Sequence, residues 1–293
     1  MAYNILEKNN KLLIQGLEHF NPKHIFECGQ CFRWFLEEDG SYTTISGGKV
    51  LNILESGDGF IVDLASKEDW IGYWHHYFDL DRDYGKIKEE LSQDPILKES
   101  IEFGYGMRLL NQEPYETIIS FIISANNGIP RIKNAVNAIA KDLGRYLITY
   151  KEKEIYSFPE PDKLADKTTE YIKEKYRVGF RSDRIRETSR RIAEGEFDMQ
   201  CIFDMRHKDA QEMLITLPGV GPKVSDCILL FAYNKSEAFP VDVWVKRVME
   251  HFYLKRDATK KELESSGADI FGPLAGFAQQ YLFYYARELG IGK

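Results

Sequence analysis

The residues best placed to do chemistry lie between Glu212 and Arg247, in the segment EMLITLPGVGPKVSDCILLFAYNKSEAFPVDVWVKR. This text reads as a helix, a glycine-rich hairpin, a second helix, a loop and a third helix. In LPGVG, Gly219 and Gly221 flank Val220 and permit a sharp turn, with backbone N–H groups pointing outward where the second helix begins. A helix N-terminus combines unpaired amides with the positive end of the dipole, so the place suits a phosphate. A hairpin of this kind grips a DNA backbone without reading sequence. A plain helix–turn–helix connection would carry the same residues.

Lys223 falls in the first turn of the second helix, where the dipole disfavours a charged amine. Cys227 follows four residues later on the same face, so amine and thiol can meet one helical turn apart. An amine that loses its charge readily is the natural Schiff-base former. An isolated helix lysine is otherwise a surface charge. Asp242 stands 19 residues after Lys223 in FPVDVW, with Pro240 shaping the turn before a helix of VWVKRVMEHFY. An aspartate in that position is an N-cap. Capping also keeps the carboxylate ionised and fixed, as a site developing positive charge on a sugar requires.

These residues need a scaffold, and the pattern along the chain predicts an α+β protein of two domains. From Lys11 to about Leu64, β-rich runs alternate with EDGS, SGGK and SGDG, the punctuation of an antiparallel meander with one buried face. Residues 65–100 change to charged, helix-period text anchored by Trp70, Trp74, Tyr77 and Phe78. After Arg108 the pattern is helical nearly to the end. PYETIISFIISANNG has an apolar helix centre, and a further helix after Pro130 shows Ile132, Val136, Ile139 and Leu143 on one face. Other helices are predicted over 162–175, 182–195, 207–216, 222–233, 243–254, 259–267 and 273–289. The predicted fold is a twisted antiparallel sheet with helices over 1–108, followed by an all-helical domain over 109–293.

Composition bounds the function. The 293 residues are 43% apolar and 29% charged, with no run of some 18 apolar residues and no apolar signal core at the start. A cytoplasmic protein is expected. Cys28, Cys31, Cys201 and Cys227 are too few and too uneven for a secreted disulfide framework. Cys28 and Cys31 in ECGQC could be half of a zinc site or a redox pair. No second pair completes the former and the flanking FRW strand text does not suit the latter, so no metal is assigned. Net charge is −7, so nucleic-acid binding must rest on local charge, such as the eight Lys or Arg against three acids in 171–191.

Taken together, GVGPKVSDC and FPVDV resemble the helix-hairpin-helix DNA glycosylase superfamily, and in detail its 8-oxoguanine DNA glycosylase branch. CGQCFRW, GMRLLNQEPYETIISFIISANN, VGFRSDR and FGPLAGFAQQYLF recur in the same order, so the resemblance spans nearly the whole chain. It implies an enzyme of base excision repair that flips 8-oxoguanine out of duplex DNA, excises it and then cleaves the strand by β-elimination. Lys223 would attack the sugar, and Asp242 would stabilise the developing cation. Gly29 would accept the N7–H of the lesion through its carbonyl. Gln279 would read the Watson–Crick edge, and Phe283 and Cys227 would sandwich the base, with Pro240 beside it. Asn126 would fill the gap in the stack, Arg131 and Arg181 would meet the orphaned cytosine, and Phe180 would act as a wedge where vertebrate members carry tyrosine. Gly219, Val220 and Gly221 would hold phosphate. Trp244 would lie at the DNA, where other members have a phosphate-contacting histidine.

The resemblance further implies a monomer, bound to double-stranded DNA with 8-oxoguanine opposite cytosine, that needs no cofactor. The rival branches acting on oxidised pyrimidines or mispaired adenine carry an iron–sulfur cluster on four closely spaced cysteines, and no cysteine follows Cys227. A helix-hairpin-helix glycosylase with another lesion preference, or a non-catalytic lesion binder, are the alternatives.

Overall fold

The computed structural model describes residues 3–57 and 59–290. Six strands, β1 (Asn4–Lys8), β2 (Lys11–Gln15), β3 (Trp34–Leu36), β4 (Tyr42–Ser46), β5 (Lys49–Ser56) and β6 (Gly59–Asp63), form an antiparallel sheet in the order β1-β2-β6-β5-β4-β3. The expected meander covers β3 to β6, and β2 then joins the far side of β6 with β1 outside it. Gly47 and Gly48 both take positive φ, the requirement of a two-residue hairpin that matches strand twist, and this fixes the β4–β5 register at Ser46↔Lys49. Ile14, Leu51, Ile53 and Val62 pack from the sheet against Phe26, Trp70, Trp74 and Phe78, so the aromatic anchors lie where their spacing predicts.

Between β2 and β3 the chain makes a helix, Pro22–Glu27, inside the stretch whose composition predicts only strands. Asn21 caps it by accepting from the Lys23 and His24 amides, and Pro22 starts it. Beyond that helix the chain runs along the seam between two cores. Phe26 and Cys31 enter the sheet core, whereas Cys28 and Phe32 enter the helical core. Gly29 is held between them.

The helical half contains Pro114–Ser124, Ile129–Leu143, Ser182–Ala193, His207–Ile215, Pro222–Ala232, Val243–Val248 and Ala275–Leu289. Three features depart from the pattern. A two-stranded hairpin, β7 (Tyr146–Tyr150) with β8 (Lys153–Tyr156), interrupts the helices and ties back to the sheet through Lys151–Asp39 at 2.6 Å and Lys153–Glu37 at 2.7 Å. The helix expected over 162–175 divides into Pro161–Ala165 and Thr169–Tyr176, because Thr168 caps a fresh start. The helix from Val243 relaxes into a π turn over Met249–Leu254.

Tyr84, Ile87, Leu91, Leu97 and Ile101 lie in the helical core, not in the sheet core, so the helices Tyr84–Leu91 and Pro95–Phe103 belong by packing with the C-terminal half. Their apolar faces meet the Ala275–Leu289 helix, with Tyr84 set edge-on to Phe277 at 5.6 Å. No helix among the described residues is long and apolar enough to cross a membrane.

Candidate active site

The helix-hairpin-helix segment folds as its residues predict. Gly219 takes φ +87°, and a β-carbon there would lie 2.8 Å from Arg184 Cδ, so both torsion and space demand glycine. The turn is fixed by the Val220 amide donating to Leu217 O at 3.1 Å and by the Thr188 hydroxyl donating to Pro218 O at 3.2 Å. Val220 turns its side chain into the core and spends its amide on Leu217 O, so, against the expectation that it holds phosphate, only its carbonyl is left for an external ligand. Gly221 has an ordinary extended torsion, against the expectation that the turn requires it. It is the N-cap of Pro222–Ala232 without any side-chain cap, and a β-carbon would meet nothing within 4 Å. Glycine here leaves the helix N-terminus uncovered, the condition for an anion to approach.

Lys223 emerges from that first turn into a cleft of about 1020 Å³, shared with Ser124, Asn126, Arg131, Asp242 and Trp244. Its Nζ stands 5.5 Å from the centre of the Phe121 ring. One turn on, Cys227 is buried. Burial pushes its thiol up to about 11, although the nearby Lys223 charge and a hydrogen bond from that amine act in the opposite direction. Near neutral pH the group beside Lys223 is therefore a protonated thiol.

Asp242 caps Val243–Val248, its Oδ1 accepting from the Trp244 amide at 3.0 Å and the Val245 amide at 2.8 Å. The capping expected of it is present, yet its carboxyl titrates above the usual aspartate range. Burial is the main cause, and the Val245 amide, Lys223, the Trp244 amide and Arg287 offset it in part. Desolvation outweighs the cap in setting this group's titration, where capping is expected to favour the ionised form. Pro240 is buried in the loop that delivers Asp242.

A second set of residues gathers around Gly29. Gly29 has φ +88°, and a β-carbon would stand 2.7 Å from Arg287 Nη1, 3.1 Å from Phe283 Cε1 and 3.6 Å from Ile129 Cδ1. Four glutamine and arginine side chains hold this loop. Gln280 donates to Cys28 O at 2.9 Å, Gln112 to Gln30 O at 2.9 Å, and Arg287 to Glu27 O at 2.5 Å. Gln30, fully buried, donates to Ile25 O and Arg108 O and accepts from the Leu110 amide. Gln279 is 4% exposed, and its Oε1 has no hydrogen-bond partner among the described residues. A buried carbonyl oxygen left unpaired is costly unless a ligand completes it.

Two family models match adjoining stretches of the chain. Residues 12–118 match the 8-oxoguanine DNA glycosylase N-terminal domain, and residues 119–273 match the HhH-GPD superfamily base excision DNA repair protein. The 8-oxoguanine glycosylase/lyase of Clostridium acetobutylicum, solved with double-stranded DNA containing cytosine opposite 8-oxoguanine, shares 44% identity and a TM-score of 0.95 over 99% of this chain and 100% of that one. A probable N-glycosylase/DNA lyase of Methanothermobacter thermautotrophicus is 35% identical over 68% of this chain and 69% of its own. The N-glycosylase/DNA lyase of Saccharomyces cerevisiae is 28% identical over 91% and 83%. The chain belongs to the 8-oxoguanine glycosylase/lyase family of the HhH-GPD superfamily. It is an N-glycosylase and DNA lyase.

Against that family background, the structure bonds Lys223 to Cys227 one turn on, as their spacing predicts, sets Lys223 and Asp242 on one cleft, and puts Phe283 beside Gly29. Asn126, with φ +53°, and Arg131 are exposed at the cleft rim. Phe180 is 58% exposed, its ring backed by the guanidinium groups of Arg181 at 4.3 Å and Arg184 at 5.2 Å. Trp244 is half-buried, with Arg247 5.1 Å from its ring.

Arg181 departs from expectation. It is buried, with Nε donating to Ala125 O at 2.9 Å, Nη1 to Val178 O at 3.1 Å, and Nη2 to Ala125 O and Asn126 O. Its fork is committed to the loop that carries Asn126, so it is a clamp and not a free donor for a base. The basic stretch 171–191 is depleted in the same way. Arg190 and Arg191 pair with Glu187, Arg190 also with Glu194 and Glu196, and Lys175 with Asp142.

The residues that sequence reasoning passed over are Gln30, Gln112, Gln280 and Arg287. Gln30 stands inside the CGQC motif and Gln280 beside Gln279, so their positions were marked. Their hydrogen bonds span up to 260 residues of sequence, as in Arg287 to Glu27, and no local pattern reveals such a pairing.

Proposed function

We propose that this protein excises 8-oxoguanine from duplex DNA, with the lesion opposite cytosine, through Lys223 as nucleophile, and then cleaves the strand by β-elimination. The observation that carries the reading is that Lys223 and Asp242 line one cleft, with the protonated Cys227 bonded to Lys223 one turn on, beside an uncovered helix N-terminus. The hairpin amides take a phosphate next to the lesion, and the extruded nucleotide enters between Cys227 and Phe283. The neutral thiol presents a soft, polarisable surface to one face of the base. Gly29 O accepts from N7–H, a proton that guanine lacks, and Gln279 Oε1 finds its missing donor on the base edge.

The amine of Lys223 attacks C1′, the C1′–N9 bond breaks, the electron pair leaves with the base, and the base takes the proton that the nitrogen gives up. Positive charge growing on the sugar meets the Asp242 carboxylate, whose Oδ1 is fixed by two amides. The resulting aminal opens its ring to a Schiff base, with the sugar oxygen taking a proton. Loss of a 2′ proton then expels the 3′ phosphate. Arg131 and Asn126 face the orphaned cytosine, with Arg181 holding the Asn126 loop in place.

The test is borohydride trapping on a duplex bearing 8-oxoguanine opposite cytosine. Wild-type protein is expected to give a covalent protein–DNA adduct. Lys223→Gln is expected to bind that duplex and give neither adduct nor product. An adduct at the wild-type level with Lys223→Gln would assign the nucleophile to another amine.

A further inference from the structure

Arg287 occupies an unusual place for a cation in the last turn of the Ala275–Leu289 helix. Its Nη2 donates to Glu27 O, and its Nε and Nη2 bond Glu288 at 2.9 Å and 2.7 Å, which anchors the plane of the guanidinium. Its Nη1 is buried and has no partner among the described residues. That same atom lies against the glycine loop, 2.7 Å from where a Gly29 β-carbon would stand, and the guanidinium carbon is 5.3 Å from the centre of the Phe283 ring. The group is close enough to Asp242 to favour its ionised form. A rigidly anchored donor therefore points into the wall formed by Gly29 and Phe283, and lacks an acceptor there.

An unsatisfied guanidinium N–H in a buried wall is costly, and a ligand carbonyl would relieve it. If Gly29 O accepts the N7–H of the flipped base, the five-membered-ring edge of the purine faces this loop, and the oxygen on C8 adjoins N7 on that edge. We infer that Arg287 Nη1 donates a hydrogen bond to the C8 oxygen of the bound lesion, making Arg287 a specificity-determining residue of the base pocket. Guanine presents C8–H at that point and leaves the donor unmet, so the contact adds to the discrimination made at N7. The inference rests on the proposed function, which fixes the orientation of the base.

The test uses duplexes with 2′-fluoro-8-oxodeoxyguanosine or 2′-fluorodeoxyguanosine opposite cytosine, in which the fluorine suppresses cleavage and affinity can be read directly. A hydrogen bond from a charged donor corresponds to roughly 10- to 100-fold in affinity. Arg287→Leu is expected to lose that factor on the 8-oxoguanine duplex and little on the guanine duplex. Arg287→Gln keeps one donor for Glu27 O and is expected to lose the same preference with an unchanged unfolding midpoint. Borohydride trapping of either variant on a preformed abasic site, which has no base to contact, is expected to fall far less than affinity for the 8-oxoguanine duplex.

Equal losses on both fluorinated duplexes would put the contact elsewhere, for example at the 6-oxygen that both bases share, and would overturn the inference. So would unchanged affinity, or trapping on the abasic site that falls together with lesion binding, as misplacement of the glycine loop would cause. A wild-type protein with no preference for 8-oxoguanine would instead refute the proposed function, and the inference with it.

Discussion

Asp242 carries two duties that a pair of substitutions separates. Its Oδ1 holds the first turn of Val243–Val248 through the Trp244 and Val245 amides, and its charge faces Lys223. Asp242→Asn keeps an oxygen for both amides, and asparagine caps as well as aspartate. It loses the interaction of a negative charge with the helix dipole, about 0.3–1 kcal/mol, and is relieved of burying a charge. Because burial raises this carboxyl in the folded state, its ionisation opposes folding above the ordinary aspartate range, and that opposition fades as pH falls through the raised value.

The two effects offset, so Asp242→Asn should unfold within about 1 kcal/mol of wild type at neutral pH. Asp242→Ala leaves both amides without the cap and should be about 1 kcal/mol less stable than Asp242→Asn. That is about 2–4 °C in unfolding midpoint for a chain approaching this size. Both variants should lose roughly 10²- to 10³-fold in single-turnover excision, the scale seen when one preorganised electrostatic group is removed. Wild-type excision should fall on its acid side at a pH above the usual aspartate range, and that limb should vanish in Asp242→Asn. Circular dichroism melts and quenched-flow excision of 8-oxoguanine measure the two duties independently. Asp242→Asn melting as low as Asp242→Ala would refute the cap, and Asp242→Asn excising at the wild-type rate would refute the electrostatic role.

Gly29→Ala forces a β-carbon into positive φ, a cost of about 1–2 kcal/mol, and into contact with Phe283 and Arg287. It should reduce excision of 8-oxoguanine far more than trapping on an abasic site, and equal reductions would place Gly29 outside the base pocket. The two arginines near Asn126 should behave differently. Arg131→Ala should relax the preference for cytosine opposite the lesion with little change in unfolding midpoint, as read from excision across the four opposite bases. Arg181→Ala removes the clamp on Ala125 and Asn126, and should lower both the midpoint and excision opposite every base. A selective loss opposite cytosine in Arg181→Ala would instead make it a base contact.

Much of the fold was legible because local chemistry and final structure agree. Glycine pairs at tight turns, proline at helix starts, and the spacing of Ile132, Val136 and Ile139 each prescribe one local geometry, and the structure adopts it. The β7–β8 hairpin was hidden by its short strands, one of which carries a register irregularity between Tyr146 and Ile148, in text flanked by strongly helical segments. Its stability comes from afar, through Lys151 to Asp39, Lys153 to Glu37 and Arg33 to Tyr156 O. Helix Pro22–Glu27 is six residues long, less than two turns, and such a helix leaves almost no periodicity to read.

The candidate site divides along the same line. Lys223 and Cys227 share one helix, so their meeting follows from 3.6 residues per turn alone. Asp242 comes from the next element, and Pro240 and the cap signal mark where it must sit. Arg181 shows the limit of that logic. Its residue type suits recognition of a base, but only the path of the Ala125–Asn126 carbonyls determines that the fork is already occupied. Arg287 is the converse case: in sequence it is an unremarkable basic residue at a helix C-terminus, favoured there by the dipole. It becomes a pocket residue because the loop at Gly29, more than 250 positions earlier, supplies a carbonyl at Glu27 to anchor one nitrogen and leaves another facing the glycine. A residue's type and spacing state what it could do, and its already satisfied hydrogen bonds decide how much of that capacity remains for a substrate.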